Sequence, residues 1–323
     1  MFVKKYNDII TIENILTAWQ GFLRGKRYKK DVIEFQASLS QNLALLHGDL
    51  QNKTYQHGPY VAFNISDPKP RNIHKATVRD RIVHHIIYKE LYPYFEPRFI
   101  YDSYSCRIAK GTHRALDRFH KFAGQVSRNH TQGCFVLKCD VRKFFASIDQ
   151  AVLMGILSRH IEDGAILALL KEVISSFPAG LPLGNLTSQL LVNIYMHEFD
   201  MFMKQELRVA YYIRYADDFV TLSVDKTYLK QVLGQIETFL RGKLHLTLHP
   251  DKVYIKTYAS GVDFLGWVHF PHHRQIRKTT KKKILRNTKH FPRPQTVNSY
   301  RGLLAHGNTY KVQKAAGITI DFS

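Results

Sequence analysis

Acidic side chains are missing from a long stretch near the C-terminal end: from Phe264 to Ile320 there is no Asp or Glu, against twelve Lys and Arg. A segment of that kind repels itself in water and calls for a polyanion to lie on. Cysteine is also scarce, with only Cys106, Cys134 and Cys139, and none of them forms a Cys-x-x-Cys pair. Cys134 and Cys139 lie five residues apart, which on a strand puts them on opposite faces and excludes a shared zinc. All three are expected to be reduced packing residues. The 17 histidines show no metal-ligand spacing, and His84-His85 and His272-His273 are expected in a groove or on the surface. No run of about 20 apolar residues is available to span a bilayer. The N-terminal Met1-Phe-Val-Lys-Lys-Tyr lacks the apolar centre of a signal peptide. A soluble, cytoplasmic protein is therefore expected.

What is present is positive charge and enough length for more than one core. The chain has 323 residues, with 47 Lys plus Arg against 26 Asp plus Glu, a net charge of +21. At that size single cores usually stop growing and subdomains appear. Residues from about Ile12 to Leu50 have helical periodicity, interrupted by Gly21 and by the basic loop Arg24 to Lys30. Tyr55 to Asp67 reads as short strands, and Val78 to Tyr92 as a helix with Val78, Ile82, Ile86 and Leu91 near one face. Thr112 is placed as the N-cap of a helix reaching about Phe122. A helix after Ser188 carries Leu190, Leu191, Ile194, Tyr195, Phe199 and Phe202 as a stripe expected to pack beneath strands, and a second runs from Tyr228 to about Leu240. In the basic C-terminal stretch Ile284, Leu285, Phe291, Val297, Tyr300, Leu303 and Leu304 suffice for a small helical bundle.

The acids that remain are arranged. Tyr215-Ala216-Asp217-Asp218 sits between two strand-forming runs, so Ala216 and Asp217 are the natural turn and carboxylates project from a hairpin tip. A third acid, Asp140, ends the β-rich run Cys134 to Cys139. Carboxylates on separate backbone elements can bridge two Mg²⁺ ions roughly 3.5–4 Å apart, the arrangement that stabilises attacking and leaving oxygens in phosphoryl transfer. Asp140 and Asp217 are expected to bridge, with Asp218 beside them.

Between the acids lies Gly180-Leu-Pro-Leu183-Gly184-Asn185-Leu-Thr-Ser188-Gln189, entering an apolar helix. The order of an Asp strand, a Gly-containing loop before a helix, and a Tyr-x-Asp-Asp hairpin resembles the palm of a reverse transcriptase. Most of that family carry Gln-Gly-x-x-x-Ser-Pro in the loop. Leu183 in place of the Gln and Gln189 in place of the Pro resemble the branch found in diversity-generating retroelements. Lys69 to Val83 and Ser103 to Leu116 resemble the fingers blocks. Leu248 to Val253 resembles the segment that supplies a lysine near pyrophosphate, and Val262 to Trp267 resembles the primer-grip hairpin.

The resemblance implies an α+β right-hand polymerase: N-terminal helices and fingers over 1–124, a palm over 125–270 and a basic helical thumb over 271–323. It implies RNA-directed DNA synthesis with two Mg²⁺ ions, Mn²⁺ serving as an in-vitro substitute. Asp140, Asp217, Asp218 and the Val141 carbonyl would hold metal, and Lys252 would protonate the leaving pyrophosphate. Lys69, Arg71, Arg107, Phe145, Leu183, Gly184 and Gln189 would meet the nucleotide, Phe145 excluding a ribose 2′-OH. Phe144, one residue earlier, would point into the core. Lys110, Asn185, Gly266, Trp267, Lys281, Lys282, Lys283 and Arg286 would meet template and primer. In a bacterial, archaeal or phage-encoded element the enzyme would make error-prone, adenine-mutagenic cDNA from a template-repeat RNA, with a small basic accessory protein. The alternatives are a retron, group II intron or phage-defence reverse transcriptase, or a catalytically silent RNA-binding scaffold.

Overall fold

The computed structural model describes residues 1–66, 70–290 and 294–319. In chain order the helices α1 (Tyr6–Ile9), α2 (Ile12–Leu23), α3 (Lys30–Ala37) and α4 (Leu39–Gln51) precede a hairpin of β1 (Val61–Ile65) and β2 (Arg71–Lys75). Helices α5 (Val78–Phe95) and α6 (Thr112–Val126) lead to β3 (Phe135–Asp140). Then follow α7 (Phe144–Ser147), α8 (Gln150–Ser158), α9 (Gly164–Ser175) and α10 (Leu186–Met201). The strands β4 (Tyr212–Tyr215) and β5 (Asp218–Ser223), helix α11 (Lys226–Lys243), and strands β6 (Tyr254–Thr257), β7 (Val262–Phe264), β8 (Trp267–His269) and β9 (Arg274–Ile276) come next. The described chain closes with α12 (Lys278–His290), α13 (Pro294–Leu304) and α14 (Tyr310–Ala316). Antiparallel sheets packed with helices make this an α+β fold.

The chain forms two compact units. One comprises 1–101, 141–206 and 237–247; the other comprises 102–140, 207–236 and 248–323. In the first, the stripe anticipated on α10 is buried at Leu190, Leu191, Ile194, Tyr195 and Phe199. Each such side chain contributes about 1.5–3 kcal/mol by leaving water. The Tyr195 hydroxyl is not left unpaired by that burial, because it donates to the Leu244 carbonyl at 2.6 Å. Phe202 stacks on Phe239 with centroids 4.1 Å apart.

Four local expectations are corrected here. Gly21 does not interrupt the first long helix but lies inside α2, and the breaks fall in the basic loop and at Ser38, between α3 and α4. Only Val61–Ile65 of the 55–67 stretch is strand among the described residues. His84 is neither groove nor surface. It is buried, its Nε2 is 3.2 Å from Nε2 of His57, and burial pushes its pKa down to about 3. Helix α6 is preceded by Gly111, at φ 109, rather than capped by Thr112, whose hydroxyl donates to the Tyr215 hydroxyl at 3.2 Å.

In the second unit a four-stranded antiparallel sheet has the order β4-β5-β3-β6, and a three-stranded sheet the order β7-β8-β9. One continuous core joins Phe119, Phe122 and Val126 of α6 with Val136, Ile213, Val220, Phe264 and Trp267. Ile284, Leu304, Val312 and Ile318 belong to the same core, so the basic C-terminal stretch is a docked set of helices. Pro294 opens α13, where its missing N–H costs nothing, while Pro292 and Phe291 lie outside the described residues. The C-terminal helices are anchored at Gly307: a Cβ there would stand 2.2 Å from Trp267 Cζ3 and 3.0 Å from the Arg274 carbonyl. Cys134 and Cys139 are buried as expected, whereas Cys106 is exposed, with its sulfur accepting from the Ser105 hydroxyl at 3.4 Å. No helix among the described residues is long and apolar enough to cross a membrane.

The Gly307 contact gives the first test. Because Trp267 is hemmed in and cannot yield, Gly307→Ala should lower unfolding free energy by about 1–3 kcal/mol. Urea titration followed by tryptophan fluorescence reads this, and an unchanged midpoint would remove Gly307 as the anchor.

Candidate active site

Strand β3 alternates: Leu137 and Cys139 turn one way into the core, and Lys138 and Asp140 turn the other. Its neighbour β5 runs antiparallel in a register that sets Asp140 directly opposite Asp218. Directly opposed residues share a face of the sheet with Cβ atoms about 4.5–5.5 Å apart, where like charges repel. Asp217 falls in the two-residue turn between β4 and β5, as the sequence indicates, and Ala216 before it holds φ 55. A residue with a Cβ adopts that region at a cost of order 1 kcal/mol, tolerated where the surroundings fix it. The fixing group is Arg214, fully buried, whose Nη1 donates to the Ala216 carbonyl at 3.2 Å. The Arg214 backbone is itself bonded on both sides, its N–H to the Asp102 carbonyl and its carbonyl to the Tyr104 N–H, each at 2.9 Å. Asp102 in turn takes a two-pronged bond from Arg118, at 2.8 and 3.1 Å.

Two lysines hold the acids. Lys252, in the short 3-10 turn Pro250–Lys252, places Nζ 2.8 Å from Asp140 Oδ1. Lys138, diagonal to Asp218 across the ladder, places Nζ 3.3 Å from Asp218 Oδ2, and its side chain is only 8% exposed. Asp218 Oδ1 is buried with no hydrogen-bond partner. Burial raises the Asp218 pKa to about 7; Lys138 opposes that rise, and the neighbouring Asp217 and Asp140 add to it. Among the described residues no group of three or more His, Cys, Asp or Glu is already gathered as a metal cage. The donor set instead suits Mg²⁺: oxygen ligands from a few carboxylates, one orphaned buried oxygen among them, with water and substrate phosphate left to complete the shell.

The other anticipated residues fall as follows. Phe145 is half-buried, edge-on to the buried Phe144 with centroids 5.5 Å apart, and its carbonyl accepts from the Leu181 N–H at 2.8 Å. Gly180 makes that approach possible, since a Cβ on it would lie 2.2 Å from the Phe145 oxygen. Val141 is buried at the end of β3. Arg71 is exposed on β2, and Lys69 lies outside the described residues. Leu183 is half-buried, Gly184 is exposed, and Asn185 is buried, while Gln189 lies in the first turn of α10. Arg107 donates to the Ser103 carbonyl and hydroxyl at 2.9 and 3.0 Å, and the Lys110 ammonium lies 5.2 Å from the Tyr104 ring centre. Gly266, at φ 91, shares the β7–β8 turn with Leu265. Lys281, Lys282 and Arg286 are exposed on α12, and Lys283 is partly exposed. Trp267 is a correction: its indole is 1% exposed in the core, so it offers no side-chain surface to nucleic acid.

Sequence reasoning missed Lys138, Arg214 and the glycine contact behind Phe145. For Lys138 the signal was available, because period-2 alternation on a strand ending in Asp140 puts residue 138 on the same face.

Residues 65–269 match the family of reverse transcriptases (RNA-dependent DNA polymerases). The chain belongs to that family. It is an RNA-directed DNA polymerase, acting with template RNA, primer and deoxynucleotides. Among curated relatives, the reverse transcriptase is 27% identical over 314 residues to Protein YkfC of Escherichia coli K12, covering 84% of this chain and 80% of that one. It is 22% identical over 346 residues to the group II intron-encoded protein LtrA of Lactococcus lactis, covering 83% and 56%. The solved structure of Candida albicans telomerase with a telomeric RNA fragment is similar in fold, with TM-score 0.52 at 13% identity, covering 74% of this chain and 51% of that one. Apo telomerase from Candida tropicalis gives TM-score 0.53 at 12% identity, covering 81% and 56%. The reverse transcriptase therefore spans little more than half the length of LtrA and of the telomerase chains.

The raised Asp218 pKa gives a test in chelator. Between the ordinary carboxyl value of 3.8 and about 7 the folded chain keeps a proton that the unfolded chain has released. Folding stability from this group therefore falls as pH rises through that window, by up to about 1.4 kcal/mol per pH unit. Asp218→Asn should gain stability relative to the parent progressively from pH 4 to pH 7, read as the difference in Tm. Parallel pH curves for the two proteins would exclude Asp218 as the source.

Proposed function

We propose that this reverse transcriptase makes error-prone cDNA from a template-repeat RNA in a diversity-generating retroelement. The observation that carries the reading is Leu183-Gly184-Asn185-Leu186-Thr187-Ser188-Gln189, with leucine where most of the family has glutamine and glutamine where most has proline. An amide at position 183 can brace the nascent base pair through directional bonds, whereas leucine offers shape alone. A lost polar constraint worth about 1–2 kcal/mol loosens mispair rejection roughly 5–30-fold.

Asp140, Asp217 and the Val141 carbonyl would hold Mg²⁺, with Asp218 adjoining; the metal supplies charge neutralisation to both oxygens of the phosphoryl displacement when bound. Lys252 has an ammonium proton to donate to pyrophosphate once released from Asp140. Arg71, with Lys69 and Arg107, neutralises triphosphate or orients template. Phe145 excludes the ribose 2′-OH, and Gly184 and Gln189 complete the nucleotide-side wall. Lys110, Gly266 and the α12 cations Lys281, Lys282, Lys283 and Arg286 take the template and primer backbone, whereas the buried Asn185 amide is committed to the His74 carbonyl. Fingers, palm and thumb correspond to 1–124, 125–270 and 271–323. A small basic accessory protein and the structured RNA of the element are the partners, in the cytoplasm.

A second reading, an intron-type reverse transcriptase, is favoured by the similarity to LtrA. The two differ in fidelity. Copying one adenine-rich RNA, the parent should misincorporate mainly opposite adenine, and Leu183→Gln should be more accurate there by roughly the 5–30-fold factor above. Sequenced cDNA with equal error spectra would remove Leu183 from the mechanism, and faithful copying by the parent would favour the intron reading.

The metal assignment has its own test. Asp140→Asn or Asp217→Asn should abolish primer extension while RNA affinity stays nearly unchanged, because phosphate contacts are spread over many Lys and Arg. Extension at the parent rate by either variant would sink the assignment.

A further inference from the structure

Asn185 occupies the N-cap position of α10 with the extended backbone of a cap, φ −102 and ψ 144, yet its side chain makes no capping bond. Asn is among the strongest N-caps known, so an uncapped Asn that is also buried is serving another partner. That partner is on the fingers hairpin: Nδ2 of Asn185 donates to the His74 carbonyl at 3.0 Å. Two residues earlier the Leu183 carbonyl accepts from the His74 N–H, also at 3.0 Å. Both polar groups of one β2 residue are thus taken by the 183–185 turn. Between the two bonds Gly184 holds φ 104 and comes so close to β2 that a Cβ would stand 2.7 Å from Ile73 Cγ2.

Among the described residues strand β2 pairs with β1 alone, in a register that sets His74 opposite Ala62. His74 thus faces away from the ladder along a free edge, where its N–H and carbonyl would otherwise meet only water. We infer that Asn185 is a positioning residue: with Leu183 it clamps β2 to the loop before α10, and so fixes the strand that carries Arg71 before any nucleotide arrives. The inference rests on the reading of Arg71 as a triphosphate contact. Its consequence is that nucleotide affinity depends on a side chain that touches β2 rather than substrate, because an unclamped hairpin must be ordered at the moment of binding.

The test uses the full chain and separates clamp from cap. Asp equals Asn as an N-cap but presents a carboxylate, not an N–H, to the His74 carbonyl. Asn185→Asp and Asn185→Ala should both speed hydrogen exchange at the His74 amide and raise KM for deoxynucleotides roughly 5–30-fold. Turnover at saturating nucleotide should stay within about twofold of the parent. Parent-like exchange and KM in Asn185→Asp would reduce Asn185 to a cap and overturn the inference. So would fast exchange at His74 in the parent itself, a measurement that needs no variant to fold. Arg71→Ala tests the underlying reading apart from the clamp. If it leaves KM unmoved, Arg71 is not the triphosphate contact; if exchange quickens in Asn185→Asp while KM stays put, the clamp exists but does not serve nucleotide binding, and the functional half fails.

Discussion

Two carboxylates set opposite one another across adjacent antiparallel strands are the constraint around which this sheet is organised. The register that opposes Asp140 to Asp218 is held by strands whose inner residues, 136 to 139 on β3 and 219 to 222 on β5, are buried on both faces, and slipping it by one residue would exchange the two faces of each contact. The register therefore cannot relax to part the charges. Relief comes from cations instead: Lys138 within the sheet and Lys252 from the turn after α11, one for each acid. Of the two pairs only Lys138 with Asp218 is largely buried at both ends, and truncating Lys138 would cost more than the pair contributes, since Asp218 is left uncompensated. The lysines hold a site of concentrated negative charge together within the fold.

The hairpin that presents Asp217 is stiff for a related reason. A positive φ at Ala216 needs support, and the support is a guanidinium withdrawn from solvent, with its backbone tied to Asp102 and Tyr104. The acid at the tip is thereby placed by buried groups, Arg214, Asp102 and Tyr104. In the other unit the 180–185 loop is held at both ends, against the Phe145 carbonyl and against β2.

The carboxylates, their hairpin and the glycine loop were legible in the sequence because charge at the end of an apolar run is conspicuous, and strand period and turn length then fix where it points. The C-terminal helices were legible from Ile284 and Leu304, apolar residues that a disordered tail would lack. Lys138 was overlooked although strand period puts it on the face of Asp140, because a lone cation inside a strand reads as a solvent-facing residue. His84 and Trp267 were misassigned for the converse reason: residue type says what a side chain can do and not which face it lies on. Strand β9, Arg274–Ile276, is too short to show any alternation. Asn185 reads from sequence as a nucleic-acid contact, and its bond to His74 spans 111 residues of chain, beyond any local pattern.

Exposed strand edges invite other chains. A two-stranded sheet with Val61 and Phe63 exposed on β1 is a template on which a second polypeptide could add a strand and begin to aggregate. With the His74 N–H and carbonyl occupied by its own loop, β2 has no complete row of donors and acceptors to offer along its outer edge. The same pair of bonds that steadies the hairpin therefore also protects solubility, and a lineage that lost them would be expected to acquire charge or proline along β2 in exchange.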